Sequence, residues 1–84
     1  MKTVEEQFMK IFMFMGIPKE KIKIESSFID DFNFDEHQLI CLALYIDIFF
    51  KVNFKESDYN EIITVGDAID LVKKRLNTIA NWIY

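Results

Sequence analysis

The segment from Leu39 to Phe50 constrains this chain most, because it is apolar at every position except Asp47. Asp35 stands before it as a helix N-cap, with Gln38 three residues on, so the run reads as a helix over about Glu36 to Lys51. A helix that is apolar all round is either enclosed or offers one apolar face to a partner. An 84-residue chain can hardly enclose one, since it buries only about two-thirds of its unfolded surface. The inward residues should be near Leu39, Leu42, Ile46 and Phe50. Some of Ile40, Leu44, Tyr45 and Ile48 should then face outward.

The remaining chain supplies what that helix packs against. Thr3 and Glu6 have capping-box spacing, and Val4, Phe8, Ile11, Phe12 and Met15 form a helical stripe, so a first helix is expected over about Thr3 to Met15. Gly16 and Pro18 end it. Residues 17–34 read as a long loop with Ile22, Ile24, Phe28, Ile29 and Phe32 as apolar anchors. A short third helix is expected over Asp58 to Ile63, capped by Ser57. A fourth begins at Thr64, with Asp67 in its first turn and a stripe of Val65, Ile69, Val72, Leu76, Ile79 and Ile83. Nine Phe, four Met and only two Gly agree with a helical domain rather than a turn-rich one. The expected architecture is one all-α domain over residues 1–84: a four-helix bundle with a long first loop, a short third helix and an extended C-terminal helix.

Charge removes some functions. A net charge of −4 argues against nucleic acid, whose phosphates need clustered Lys and Arg. Residues 24–50 hold six acids (Glu25, Asp30, Asp31, Asp35, Glu36 and Asp47) and no Lys or Arg. Such a stretch suits a basic partner surface or a cation, or is a solvated face. Cys41 is the single cysteine, so no internal disulfide exists, and a free thiol fits the cytoplasm. The first residues lack the apolar run of a signal peptide. The longest uninterrupted apolar run, Leu39 to Ile46, is far short of the roughly 20 residues that span a bilayer.

Two stretches carry a resemblance: Ser26-Ser27-Phe28-Ile29-Asp30-Asp31-Phe32 and Thr64-Val65-Gly66-Asp67-Ala68-Ile69-Asp70-Leu71-Val72-Lys73-Lys74. Both resemble acyl carrier proteins of fatty-acid and polyketide synthesis, and the likeness covers residues 3 to about 76. It implies a serine, in an Asp-Ser-Leu motif opening the second helix, that is esterified to 4′-phosphopantetheine. The matching positions here are Asp35, Glu36 and His37, and the chain's only serines are Ser26, Ser27 and Ser57. A carboxylate cannot form the phosphodiester that a hydroxyl forms. The resemblance also implies acidic side chains on the second helix facing basic enzyme surfaces. Cys41, Tyr45 and Ile48 stand there instead, and only Asp47 remains near the end.

These residues give a main reading and two alternatives. The main reading is a non-catalytic carrier-like domain without a cofactor. Its partner is another protein of a fatty-acid, polyketide or related acyl pathway, or a second copy in a homodimer. The partner surface expected is Glu36, Ile40, Leu44, Tyr45 and Ile48, with Trp82 and Tyr84 from the tail beyond Leu76, since such aromatics anchor interfaces. That tail either binds a partner or folds back over the second helix. Glu36 either stands in for a phosphate charge or simply complements the helix macrodipole. The first alternative is a genuine carrier modified in a non-standard way. The second is a small metal-dependent protein using His37 and Cys41, four apart on one helical face, with Asp35 completing the site. Asp30, Asp31 and Asp35 are a further weak candidate for a divalent cation. A Cys–His nucleophile pair lacks an orienting third group.

Overall fold

The computed structural model describes residues 3–54 and 56–83, with side chains except at 56, 59 and 78–83. It is all-helical, and among the described residues no strand forms beyond one isolated bridge between Ser27 and Thr64. The elements are α1 (Val4–Phe14), α2 (Glu36–Phe50), the four-residue α3 (Glu56–Tyr59) and α4 (Val65–Ile83), with one 3₁₀ turn at Lys19–Lys21. No helix among the described residues is long and apolar enough to cross a membrane.

Local chemistry sets the helix ends. Thr3 Oγ1 accepts from the Glu6 amide at 3.1 Å and opens α1. Gly16, at φ +80°, closes it one residue past the Met15 cap, a conformation that costs a Cβ-bearing residue and not glycine. Lys51 takes a left-handed cap after α2. At α4, Thr64 Oγ1 accepts from the Asp67 amide, and Asp67 Oδ2 accepts from the amides of Ile63 and Thr64. The backbone amides of Thr64 and then Ile63 hold the Asp67 carboxyl below its ordinary value. A lowered folded-state pKa means that this capping contribution is present above the usual carboxylate range and is lost as pH falls through the folded value.

α1 packs on α2 and on α4, and α2 packs on α3. The stripes read from the sequence meet at the centre: Phe8, Ile11, Phe12, Leu42, Ile46 and Val72 are fully buried, as is Phe28 from the loop. Aromatic rings line this core. Phe8 lies 5.2 Å from Phe50 and 5.7 Å from Phe12, and Phe28 lies 5.7 Å from Phe34. Ser26 is buried without penalty, because its hydroxyl donates to the Lys21 carbonyl and accepts from the Lys23 amide.

Three expectations are corrected. Ile24 and Ile29 were expected as anchors of the loop, yet they are 70% and 59% exposed. The backbone does the anchoring at Ile24, whose carbonyl accepts from the Gly66 amide at 2.8 Å. Ile29 sits in the turn that Ser27 and Asp31 close, beside the inward Phe28. The third helix was expected over 58–63 with Ser57 as its cap, but it spans Glu56–Tyr59. Residues 62–64 are instead drawn out against the loop, where the Phe28 amide donates to the Ile63 carbonyl and the Val65 amide to the Ser26 carbonyl. Asp47, the one acid remaining near the end of the second helix, has its Oδ1 accepting from the Phe54 amide, which holds the turn after α2.

Gly66 explains part of the second family-like stretch. A Cβ there would lie 2.7 Å from Ile24 Cγ2 and 3.1 Å from the Ile24 carbonyl oxygen. Glycine to alanine inside a helix ordinarily gains about 1 kcal/mol. The exposed Ile24 side chain can turn aside, but its hydrogen-bonded carbonyl cannot, and such overpacking costs about 1–3 kcal/mol. Gly66→Ala should therefore lower the thermal midpoint rather than raise it. A rise on melting would show that the loop yields freely.

Candidate functional site

The N-terminus of α2 is built from the loop before it. Phe34 is buried, and its amide donates to the Phe28 carbonyl at 2.9 Å, which fixes where the chain turns into the helix. Asn33, at φ 57°, makes the bend. Asp35 then caps α2: its Oδ1 accepts from the Gln38 amide at 2.9 Å, while Gln38 Oε1 accepts from the Asp35 amide at 3.0 Å. This capping box satisfies two backbone donors that a helix end leaves open. Glu36 is the first residue of α2, and both it and His37 are exposed. The first helical position therefore presents a carboxylate to solvent, in the field that a helix N-terminus makes favourable to negative charge.

The serines lie elsewhere. Ser26 is buried with its hydroxyl engaged, Ser27 Oγ accepts from the Asp30 amide, and Ser57 is exposed on α3. A crevice of about 160 Å³ lies close to the cap, lined by Phe28, Ile29, Leu39, Ile62 and Ile63 among others.

The outer face of α2 is apolar. Cys41, Leu44, Tyr45 and Ile48 recur at helical spacing there, opposite the buried Leu42 and Ile46. Leu44 is 56% and Ile48 67% exposed, Ile40 is exposed beside them, and Tyr45 and Cys41 are half-buried. Tyr45 also leans on α1, its ring stacked 6.3 Å from that of Phe14. Phe14 is 66% exposed and lies 6.0 Å from Phe49. Sequence reasoning missed Phe14. Its signal was available, because it falls out of phase with the inward stripe of Phe8, Ile11, Phe12 and Met15. Of the two tail residues, Trp82 lies on α4 but its side chain falls outside the described residues, as does all of Tyr84. α4 itself continues unbroken to Ile83.

The metal alternative finds no support in the structure. Among the described residues no group of three or more His, Cys, Asp or Glu side chains comes together to hold an ion. Asp35, which would have completed a site with His37 and Cys41, is committed to the α2 cap. Asp31 is likewise committed, its Oδ2 accepting from the Ser27 amide at 2.6 Å.

Comparison with known proteins agrees with the residues. No family model matches the chain. Individual relatives do. It is 35% identical to an acyl carrier protein of Nitratidesulfovibrio vulgaris (strain DP4) over 74 residues, which is 87% of this chain and 97% of that protein. It is 35% identical to an acyl carrier protein of Chlamydia trachomatis serovar D over 63 residues, 75% of this chain and 82% of that one. Identity of this order along most of both chains, together with an all-helical fold capped at Asp35 and Thr64, shows that the chain belongs to the acyl carrier protein family.

Proposed function

We propose that this protein is a member of the family that carries no phosphopantetheine at the usual position and works by binding another protein of an acyl pathway. The observation that carries the reading is the α2 N-terminus, where the capping box of Asp35 and Gln38 is complete and the next residue is Glu36. The position that needs a hydroxyl has a carboxylate, so the residues present do not fit the prosthetic group. The remaining serines offer no substitute in that motif. A four-helix carrier-like bundle is kept as a scaffold, and Glu36 keeps a negative charge where the family's phosphate would sit. The exposed Leu44 and Ile48 on the outer face of α2 make a protein surface the better-supported ligand, and catalysis is not part of the reading.

Intact mass tests it. Incubated with coenzyme A and a broad-specificity phosphopantetheinyl transferase, the protein should gain no mass. Stoichiometric addition of one phosphopantetheine would overturn the proposal in favour of a genuine carrier. The double substitution Glu36→Ser with His37→Leu restores the motif on an exposed helix end and should restore some modification. No gain in that variant would count against equating Glu36 with the attachment position.

A further inference from the structure

We infer that the apolar outer face of α2 pairs with the same face of a second copy, the two helices running antiparallel about a two-fold axis. The inference goes beyond the function proposed above and does not depend on it, since it involves no modification at Glu36.

The first ground is the face itself. Leu44 and Ile48, both exposed, join the half-buried Cys41 and Tyr45 and the exposed Phe14 in one continuous apolar strip. Contiguous exposed apolar surface of this kind marks an interaction site.

The second ground is charge, and it selects the occupant. The strip residues Cys41, Leu44, Tyr45 and Ile48 include no Lys, Arg, Asp or Glu, and the Asp47 carboxylate on the same helix accepts from the Phe54 amide. At one end stand the exposed Asp35 and Glu36. At the other stands the exposed Lys51, with exposed Lys10 one turn before Phe14 on α1. The face is thus negative at one end, apolar in the middle and positive at the other. A surface so arranged is complementary to itself turned end for end, which is the requirement of an isologous two-fold interface. A partner helix with a uniformly basic rim would match Asp35 and Glu36 but would meet Lys51 and Lys10 with like charge.

Helix geometry supplies a register. Placing the axis level with residues 42 and 43 sets Leu44 opposite the second copy's Cys41 and Ile48 opposite its His37. Lys51 then comes level with the turn into the other α2, within side-chain reach of Asp35 and Glu36. Antiparallel helices also set the opposite ends of their dipoles side by side. α2 has 15 residues, about 22 Å of helix, so the interface is at the small end of the specific range and the dimer should be micromolar rather than obligate.

The test is sedimentation equilibrium of the full chain from about 1 μM to about 1 mM, a range that brackets a micromolar dissociation constant. A monomer–dimer equilibrium is expected. Leu44→Glu, at an exposed position that leaves the core untouched, should weaken it at least about tenfold, since it sets a charge in the apolar centre. Lys51→Glu and Glu36→Lys should each weaken it several-fold, and the double exchange should restore it, because both ends of the two-fold then carry opposite charges again. Circular dichroism and thermal melting confirm that each variant is folded. A monomer throughout the range, or a dimer indifferent to Leu44→Glu, would overturn the inference. A dimer that Leu44→Glu breaks but that the charge exchange fails to restore would overturn the antiparallel arrangement.

Discussion

Phe28→Ala should lower the stability of the protein by about 3–5 kcal/mol, among the largest single losses available to a domain this small. Phe28 comes from a loop, yet it is 1% exposed. Its ring lies 5.7 Å from Phe34, 5.9 Å from Phe32 and 6.1 Å from Phe12, so it joins the approach to α2 with the core of α1. Its backbone is equally committed: the amide donates to Ile63 and the carbonyl accepts from Phe34. Alanine keeps those hydrogen bonds and removes the ring, so the loss reports packing alone. Chemical denaturation of the two proteins measures it. A loss below about 1 kcal/mol would mean that Phe32 and Phe34 close the cavity by moving inward, since the cost of such truncations depends on how far a site can collapse.

Arg75→Met should cost about 2–4 kcal/mol, through a different mechanism. Arg75 Nη2 donates to Asp58 Oδ1 at 2.6 Å, and the Asp58 side chain is nearly out of solvent. Removing one partner of a buried pair leaves a desolvated charge, which costs about 3–5 kcal/mol when the burial is complete. Arg75 is about one-third exposed, so solvent screens part of that loss. The contrast with Lys73 makes the prediction specific. Lys73 Nζ reaches Glu5 at 2.8 Å, but both side chains are about half exposed and screened by solvent, so Lys73→Met should leave the denaturation midpoint nearly unchanged. The double variant Arg75→Met with Asp58→Leu should recover much of the first loss, because replacing a buried pair with apolar groups is often neutral. No recovery would show that the Asp58 carboxylate is held mainly by other neighbours.

Most of what the site consists of was legible in local spacing. The cap at Asp35 and Gln38 was readable because its two hydrogen bonds join residues three apart. The same holds for Thr3 with Glu6 and for Thr64 with Asp67. The carboxylate at position 36 needs no coordinates at all. The inward residues of α2 were also readable, because a helix repeats every 3.6 residues and an apolar stripe must turn toward the core.

What the spacing could not show involves partners far apart in the chain. Asp58 reads as an ordinary first-turn acid, and only the fold shows it buried and bonded to Arg75, 17 residues away. Asp47 reads as a surface acid until the chain bends back and brings the Phe54 amide to it. Ile24 and Ile29 match the composition of anchors, but their backbone positions in the loop, set by contacts to Gly66 and within the turn, send the side chains outward. Phe14 and Tyr45 meet only because α1 packs on α2. Helices α1, α2 and α4 with the caps at Thr3, Asp35 and Thr64, the family and the carboxylate at position 36 were thus determined by sequence alone, through interactions spanning three or four residues and through likeness to relatives. The register of α3, the inward turn of Asp47 and the place of Phe14 beside Tyr45 were decided by the tertiary structure. Hydrogen bonds and packing between distant segments choose among side-chain directions that local spacing leaves equal.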